Sequence, residues 1–295
     1  MTKIGIVGTG MLGNAVGLNL LKLGFDLTVY NRTKEKTREL QNNGAEVVDS
    51  PKNVAENSEL VIIVVKDADA VKKVSFGKNG IIEGKHDGMT VADMSTISPI
   101  ESKNISKKFL EHEIIKLDIP VMGGPNVAIT GELVLMISGD KGTFDRFKSI
   151  FEKMANKIFF LGEDGIAHLV KLSMNLQITM LALALSEGIT LVKSANVDPK
   201  IFLDILNSTY FKTGMSENKA YKMIQDEFAP TFTLANLKKD ISTITETAES
   251  LGINLPMIKK AEEVYKEAVK KGFGDIDYTG ILAYIKKINN QQHNN

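Results

Sequence analysis

Short runs of β-branched and apolar residues alternate with helical patterns, such as Met11–Leu23 and Lys34–Asn42, through the first half of the chain. Alternating strands and helices are typical of a mostly parallel sheet with helices on both faces, so an α/β domain is expected here. The predicted strands lie near Ile4–Gly8, Leu27–Tyr30, Glu46–Val48, Leu60–Val65, Thr90–Asp93, Ile114–Leu117, Leu133–Ser138 and Ile158–Leu161.

The pattern changes after the breaker cluster Gly162–Gly165, beyond which the sequence predicts helices only. A long helix from Ile166 to about Ala195 is apolar almost all round, which implies burial on all sides. We therefore predict an α/β domain over 1–163, an all-helical domain over 164–289 and a disordered polar tail over 290–295. Further helices are predicted from Pro199 and over Asn218–Asp226, Leu234–Leu251 and Pro256–Lys271.

Composition excludes several classes of function. Lys plus Arg equals Asp plus Glu, 36 each, so no overall field favours nucleic acid or an anionic membrane. The absence of cysteine excludes disulfides, thiolate zinc sites and a thiol nucleophile, and no His/Asp/Glu cluster has metal-ligand spacing. The uncharged stretch Leu172–Ser186 is too short to span a bilayer. A core strand at residues 3–8 leaves no room for a signal peptide, so a soluble cytoplasmic protein is expected.

A glycine-rich loop follows the first predicted strand directly. Its spacing is GxGxxG, and it lies between a strand and a helix, which is the context of a dinucleotide-binding loop. The first glycine permits the tight turn, the second lets the backbone approach a pyrophosphate, and the third allows close helix–strand packing. We expect the cofactor pyrophosphate at the helix N-terminus. The loop residues are Gly8, Thr9, Gly10, Met11, Leu12 and Gly13.

The end of the second predicted strand bears on which dinucleotide binds. NAD sites usually place an acid there for the ribose 2′-hydroxyl, whereas this chain has Asn31-Arg32-Thr33. A guanidinium can bind a 2′-phosphate bidentately, and Lys36 could add charge. We therefore predict NADP as cofactor, with NAD possible. The alternative is that Arg32 is simply a solvated side chain at a strand end.

Three polar residues share one stripe of the long apolar helix. His168, Lys171 and Asn175 are spaced i, i+3 and i+7, and buried polar groups need partners. A ligand in a cleft between the domains would supply them. The alternative for Lys171 is a lysine with a buried stem and a solvated head. His168 is interpreted as structural, and Glu187, the lone charge in its stretch, as a structural partner.

Four further motifs follow the glycine loop in order, and together they make a recognisable set. With that loop, they resemble the β-hydroxyacid dehydrogenase family over nearly the whole chain. That family includes 3-hydroxyisobutyrate dehydrogenase, tartronate semialdehyde reductase and the glyoxylate/succinic semialdehyde reductases. The motifs are Asp93–Pro99; Asp118–Pro125 with Ala128, Gly131 and Leu133; Gly165 with Lys171 and Asn175; and Lys239-Asp240.

The resemblance implies a Rossmann-type domain and an all-helical domain joined by a long helix, and it implies roles for individual residues. Lys171 is expected to be the catalytic acid/base, with Asn175 hydrogen-bonded to the substrate. Thr96 is expected beside the nicotinamide and the substrate, and the Gly123 and Gly124 backbone around the substrate carboxylate. The remaining cofactor-binding residues are expected to be Lys239 on the nicotinamide side, together with Val65 and Lys66.

Two positions depart from the family pattern. Met122 replaces the usual serine before the two glycines, which removes a hydroxyl donor from the substrate-binding residues. Met174 stands where the family often has a first asparagine. The reaction class survives these changes, whereas the identity of the substrate is less defined. The segments Phe228–Phe232 and KGFGDIDYTG most resemble the glyoxylate/succinic semialdehyde reductase branch.

These observations predict an NADP-dependent dehydrogenase or reductase of small β-hydroxyacids and their semialdehydes. The alternatives are an imine reductase-like enzyme, which Lys171 argues against, and a non-catalytic dinucleotide-binding sensor or scaffold. The four shorter helices of the second domain cannot cover a helix that is apolar on every side. We therefore also expect a homodimer or homotetramer formed through the helical domain.

Overall fold

The computed structural model describes residues 2–292, which divide into one compact unit up to Lys171 and a second from Leu172. The first unit holds all nine strands that the described residues contain. They are β1 Ile4–Val7, β2 Leu27–Tyr30, β3 Glu46–Val47, β4 Leu60–Ile63, β5 Thr90–Asp93, β6 Ile115–Asp118, β7 Val121–Met122, β8 Leu133–Ile137 and β9 Ala155–Phe160.

Six of these strands form one parallel sheet in the order β3-β2-β1-β4-β5-β6. This order confirms the predicted α/β fold of Rossmann type, because the chain reverses direction across the sheet between β1 and β4. The helices of this unit are α1 Met11–Lys22, α2 Arg38–Asn42, α3 Pro51–Glu56, α4 Ala68–Phe76, α5 Pro99–Leu110, α6 Pro125–Ala128 and α7 Lys141–Met154.

A second, three-stranded sheet was not predicted as a separate layer. In it β7 pairs antiparallel with β8, and β8 pairs parallel with β9. The two-residue strand β7 was missed because Pro120 and Gly123 bound it so closely that no alternation is visible. One apolar core contains residues of β1, α1 and α7. Another, on the other side of the main sheet, contains residues of α3, α4 and α5.

The second unit is all-helical, as predicted. Helix α8 begins in the first unit and continues into the second, and its residues from Leu172 onward pack in the second unit's core with α12 to α14. The helices are α8 Ile166–Ser194, α9 Pro199–Asn207, α10 Gly214–Asn218, α11 Ala220–Ile224, α12 Leu234–Ser250, α13 Pro256–Ala268 and α14 Ile281–Gln292.

Three predictions for this half need correction. The helix predicted over 218–226 is two short helices, α10 and α11, and a final helix, α14, was not identified. That helix continues to Gln292, so residues 290–292 of the predicted disordered tail are helical, and the rest of the tail lies outside the described residues.

Burial of α8 on all sides is also wrong for the single chain, because Met174 is 40% exposed and Leu191 is 71% exposed. Helix α8 as a whole, 29 residues with a mean hydropathy of 1.4, is long and apolar enough to cross a membrane by length and composition alone. Core helices of globular domains pass the same test.

Candidate functional site

The glycine loop connects β1 to α1 at the carboxyl edge of the main sheet. Gly8 has φ +106°, and a Cβ there would lie 2.2 Å from the Val64 carbonyl oxygen. A Cβ on Gly13 would lie 2.0 Å from the Gly8 carbonyl oxygen. A Cβ on Gly10, the cap of α1, would meet no described atom within 4 Å beyond its two chain neighbours. Gly8 and Gly13 are therefore required by packing, whereas the space above Gly10 fits a pyrophosphate at a helix N-terminus.

The end of β2 is tied to this loop by Asn31. Its Oδ1 accepts a hydrogen bond from the Thr9 amide at 3.1 Å, and its Nδ2 donates to the Thr33 carbonyl at 2.8 Å. Thr9 Oγ1 in turn donates to the Lys36 carbonyl at 2.9 Å. Asn31 thus braces the glycine loop against the segment that carries Arg32, whose side chain is exposed. Sequence reasoning missed this brace, because only the fold brings residues 9 and 31 together.

Other predicted cofactor residues follow the neighbouring strands at the same edge. β4 lies beside both β1 and β5, with Ile63 opposite Val7 and Asp93. Val65 and the exposed Lys66 therefore come after the strand next to the glycine loop, and the half-buried Thr96 comes after the strand beyond it. These residues share the edge at which a parallel sheet that reverses direction binds its ligand.

A buried charged cluster joins the end of β6 to the start of α8. Asp118 contacts Lys116 and lies 3.2 Å from His168 Nε2, and all three side chains are fully buried. Its oxygens also accept hydrogen bonds from Ser102 at 2.6 Å, Ser138 at 2.9 Å and the Gly165 amide at 2.6 Å. His168 is thus a structural residue that anchors the first turn of the helix carrying Lys171.

The charged groups in this cluster shift one another's pKa values. Burial alone would raise the pKa of Asp118, but Lys116 and His168 hold that pKa well below its usual range. Burial would lower the pKa of Lys116, but Asp118 and Asp93 raise it above its ordinary value. Burial raises the pKa of Asp93, and Lys116 offsets only part of that rise. The cluster could not be predicted from sequence, because its members come from β5, β6 and α8.

Two predicted substrate residues of the first unit are in contact. The sulfur of Met122, on β7, lies 3.3 Å from Nζ of Lys171. Gly123 follows with φ +120°, where a Cβ would lie 2.5 Å from Val127 Cγ2, and Gly124 caps α6. The replacement of a hydroxyl by a thioether therefore places a weak hydrogen-bond acceptor, with no donor, beside the lysine ammonium.

The second unit holds the remaining predicted site residues. The buried Asn175 donates from Nδ2 to Asp240 Oδ2 at 2.6 Å, and Lys239 Nζ lies 2.5 Å from Asp240 Oδ1. Asp240 was part of the Lys239-Asp240 motif, but sequence reasoning gave it no role, since its link to Asn175 spans two helices. Lys171 and Asn175 lie one turn apart on α8. Glu187, predicted as a structural partner, is exposed.

A surface hollow lies away from these residues. It has a volume of about 410 Å³ between α4 and α5, and its lining includes Lys72, Phe76 and Lys108 but none of the predicted site residues. Lys72 is already paired with Glu101 at 2.6 Å, and Lys108 lies over the Phe76 ring. We therefore do not place the site there.

Known proteins resemble the chain over nearly its whole length. A family model for the NAD binding domain of 6-phosphogluconate dehydrogenase matches residues 3–162. A second, described as the NAD-binding domain of NADP-dependent 3-hydroxyisobutyrate dehydrogenase, matches residues 165–285. Glyoxylate/succinic semialdehyde reductase 1 of Arabidopsis thaliana is 30% identical, over 96% of this chain and 98% of that protein.

Two further proteins extend the comparison. The crystal structure of a 3-hydroxyisobutyrate dehydrogenase from Salmonella typhimurium has the same fold, with a TM-score of 0.88 and 24% identity, over 96% of this chain and all of that one. Cytokine-like nuclear factor N-PAC of Xenopus tropicalis is 31% identical over 96% of this chain, but the match covers only 53% of that longer protein.

Proposed function

This chain belongs to the β-hydroxyacid dehydrogenase family, and we propose that it reduces small semialdehydes, or oxidises the matching hydroxyacids, with NADP(H). It is an NAD(P)-dependent oxidoreductase, as its relatives are. The preference for the phosphorylated cofactor, the substrate and the roles of individual residues are the parts that we propose. Substrates of the 3-hydroxyisobutyrate, succinic semialdehyde or glyoxylate type are the candidates.

The proposed cofactor site is the carboxyl edge of the main sheet. Gly10 and the N-terminus of α1 would hold the pyrophosphate, and Arg32 would bind the 2′-phosphate with a charge-assisted pair of hydrogen bonds. We assign Thr96 and Lys239 to the nicotinamide side. The remaining cofactor-binding residues would be Gly8, Thr9, Met11, Leu12, Gly13, Asn31, Thr33, Val65 and Lys66.

The contact between Met122 and Lys171 is the observation that carries the proposed chemistry. When bound, the nicotinamide supplies or accepts the hydride. Lys171, as an ammonium, would give a proton to the carbonyl oxygen during reduction, and as a neutral amine would take it from the hydroxyl during oxidation. The 3.3 Å contact holds its Nζ beside the Gly123-Gly124 loop, whose backbone would bind the substrate carboxylate. Met122 would limit that pocket to groups that need no hydroxyl donor.

A spectrophotometric panel tests this function. The purified protein would be mixed with NADPH, and separately with NADH, and the loss of absorbance at 340 nm followed with glyoxylate, succinic semialdehyde and related small aldehydes. Turnover that depends on the aldehyde and is faster with NADPH is the expected result. An inert protein that still binds NADPH would contradict the enzymatic proposal.

That inert outcome would favour a non-catalytic dinucleotide-binding module. The likeness to about half of a nuclear factor is the observation that raises this second candidate. The presence of Lys171, Asn175 and Thr96 together favours the enzyme. We also propose a soluble, cytoplasmic protein that forms a homodimer or homotetramer through its helical unit.

A further inference from the structure

We infer that Asp240 is a positioning residue that fixes the side-chain amide of Asn175, so that the amide meets the substrate with its carbonyl oxygen and not with its amino group. This inference deepens the proposed function and rests on it. It assigns Asn175 the part of a hydrogen-bond acceptor. The group that Asn175 recognises must then be a donor, which in a hydroxyacid is the hydroxyl.

The orientation of the amide follows from the chemistry of its neighbour. Asn175 and Asp240 are each 1% exposed, and Nδ2 lies 2.6 Å from Asp240 Oδ2. An ionised carboxylate can only accept hydrogen bonds, so it accommodates the amino end of an amide and repels the carbonyl end. The short distance would be repulsive between two oxygens. Asn175 is therefore held in one of its two possible orientations.

Lys239 forms an ion pair with Asp240. Its Nζ lies 2.5 Å from Oδ1, the oxygen that does not contact Asn175. The acidic partner of an ion pair is a carboxylate, which can only accept hydrogen bonds. With no proton of its own, Asp240 has nothing to donate to the carbonyl oxygen of Asn175. The two partners of Asp240 thus occupy separate oxygens.

The side-chain carbonyl oxygen of Asn175 provides a second, independent observation. Asn175 Oδ1 is buried and has no hydrogen-bond partner within residues 2–292. The nearby Thr179 hydroxyl donates to the backbone carbonyl of Asn175 at 2.9 Å and so does not satisfy the side chain. A buried acceptor without a partner is costly, so such an atom is a candidate for ligand recognition.

Asn175 and Lys171, both on α8, would therefore have separate roles. Asn175 Oδ1 would accept from the hydroxyl of the alcohol form, whereas the carbonyl form offers it no donor. Lys171, one turn earlier, would then supply the proton to the carbonyl oxygen. Asn175 should therefore bind the hydroxyacid more tightly than the matching semialdehyde, and that difference should depend on Asp240.

A nearly isosteric substitution tests the orientation itself. In Asp240→Asn the new amide can face either end of Asn175, so a single orientation is no longer enforced. The side-chain amide protons of Asn175 would be assigned in a ¹⁵N spectrum by their loss in Asn175→Ala. We expect them shifted downfield in the wild type by the charged acceptor, and moved towards ordinary values in Asp240→Asn. Ordinary shifts in the wild type would overturn the inference, whatever the protein catalyses.

Kinetics with succinic semialdehyde and its alcohol, 4-hydroxybutyrate, test the consequence. Asp240→Asn should raise the dissociation constant of 4-hydroxybutyrate, obtained from product inhibition, about 10-fold to 30-fold, and the KM for succinic semialdehyde by a smaller factor. In an Asn175→Ala background the same substitution should have no further effect. If it still weakens binding of the alcohol there, Asp240 acts through Lys239 and the inference is wrong. Glu246→Gln, an exposed change on α12, is the matched control and should leave every value unchanged.

Two failures remain distinguishable. A protein that turns over none of the panel aldehydes contradicts the proposed function, while the amide spectrum still decides the orientation of Asn175. A protein that turns over the aldehydes but shows equal effects of Asp240→Asn on the binding of the alcohol and of the aldehyde keeps the proposed function and loses the acceptor role. Melting temperatures of the variants, by circular dichroism, show whether a change in rate accompanies a change in folding.

Discussion

Gly10 differs from the glycines on either side of it in what surrounds it. A methyl group at Gly13 would collide with the Gly8 carbonyl, whereas one at Gly10 meets no described atom within 4 Å beyond its two chain neighbours. We expect Gly13→Ala to lower the melting temperature markedly. Gly10→Ala should melt like the wild type but weaken NADPH binding at least about tenfold, because the methyl occupies the space of the pyrophosphate. NADPH fluorescence titration and thermal melts check both, and unchanged affinity in Gly10→Ala would place the cofactor elsewhere.

Lys171 is the residue on which the proposed proton transfer depends. Lys171→Ala should lower kcat by two to four orders of magnitude, the usual contribution of a positioned acid/base, and should leave NADPH affinity nearly unchanged. Lys193→Ala, an exposed change near the end of the same helix, is the control. The measurement is steady-state turnover with the best aldehyde of the panel. Retention of most of the turnover would make the lysine structural.

Arg32 decides the proposed cofactor preference. A charge-assisted bidentate contact contributes about 1.5–3 kcal/mol, so Arg32→Ala should reduce the preference for NADPH over NADH about 10-fold to 150-fold. Asn31→Asp added to it should reduce the preference further by placing a negative charge near the 2′ position. That change also removes the donor to the Thr33 carbonyl, so a modest loss with both cofactors is expected. The preference is measured as the ratio of the kcat/KM values for NADPH and NADH, with Lys22→Ala as the control. A wild type that prefers NADH would refute the proposed role of Arg32.

Much of this residue-level picture could be predicted from sequence because it depends on local spacing. The glycine loop, Arg32 and Lys171 lie in contiguous motifs whose geometry the backbone fixes. The hydrogen bond from the Thr9 amide to Asn31 and the one from Asn175 to Asp240 could not be predicted, since they join residues 22 and 65 positions apart. Such contacts depend on how neighbouring elements pack, and propensity carries no information about that.

At the scale of elements, the buried cluster between β6 and α8 is the feature that sequence could not indicate. A lysine within a strand usually faces solvent, so Lys116 attracted no prediction, and its partners come from other elements. Most of the long, strongly patterned elements were predicted well, with the 12-residue helix α14 as the exception. The two-residue strand β7 and the short helices α10 and α11 were not, because elements of two to five residues are fixed by tertiary partners and not by their own periodicity.

Asp118 offers the corresponding stability prediction. Asp118→Asn removes the charge that pairs with fully buried Lys116, so at pH 7 it should destabilise the protein by about 3–5 kcal/mol. Asp145→Asn, which breaks the exposed pair with Lys141, should cost about 0–1 kcal/mol and is the control. Urea unfolding measures the change in the free energy of unfolding for both variants. Equal changes would mean that the buried cluster contributes little to stability.

The effect of Asp118 should also depend on pH in a definite direction. The pKa of Asp118 is lowered in the folded state. Its contribution to the free energy of unfolding is therefore complete above its unfolded pKa of about 3.9 and is lost as pH falls through its folded pKa. The difference between wild type and Asp118→Asn should therefore narrow only in acid. A difference that grows on acidification would contradict this assignment.

At the scale of the whole molecule, the helical unit exposes several large apolar side chains, and clustered apolar surface is typical of an interface. Leu191 on α8, Ile201 and Ile205 on α9, and Phe211 just beyond it are between 53% and 75% exposed. These are the residues that we expect a partner to cover, since the shorter helices leave them exposed. A two-fold interface would bury such a surface against its own copy.

We therefore expect light scattering at micromolar concentration to give at least twice the chain mass of 32.3 kDa. Ile205→Glu places a charge in the middle of the exposed apolar surface of α9 and should shift the assembly towards the monomer, because a buried unpaired charge is strongly unfavourable. Leu110→Glu is the matched control: this leucine, on α5 of the first unit, is 65% exposed and lies outside the helical unit. A wild type that elutes as a monomer would remove the proposed assembly. An oligomer that Leu110→Glu disrupts and Ile205→Glu does not would move the interface to the first unit.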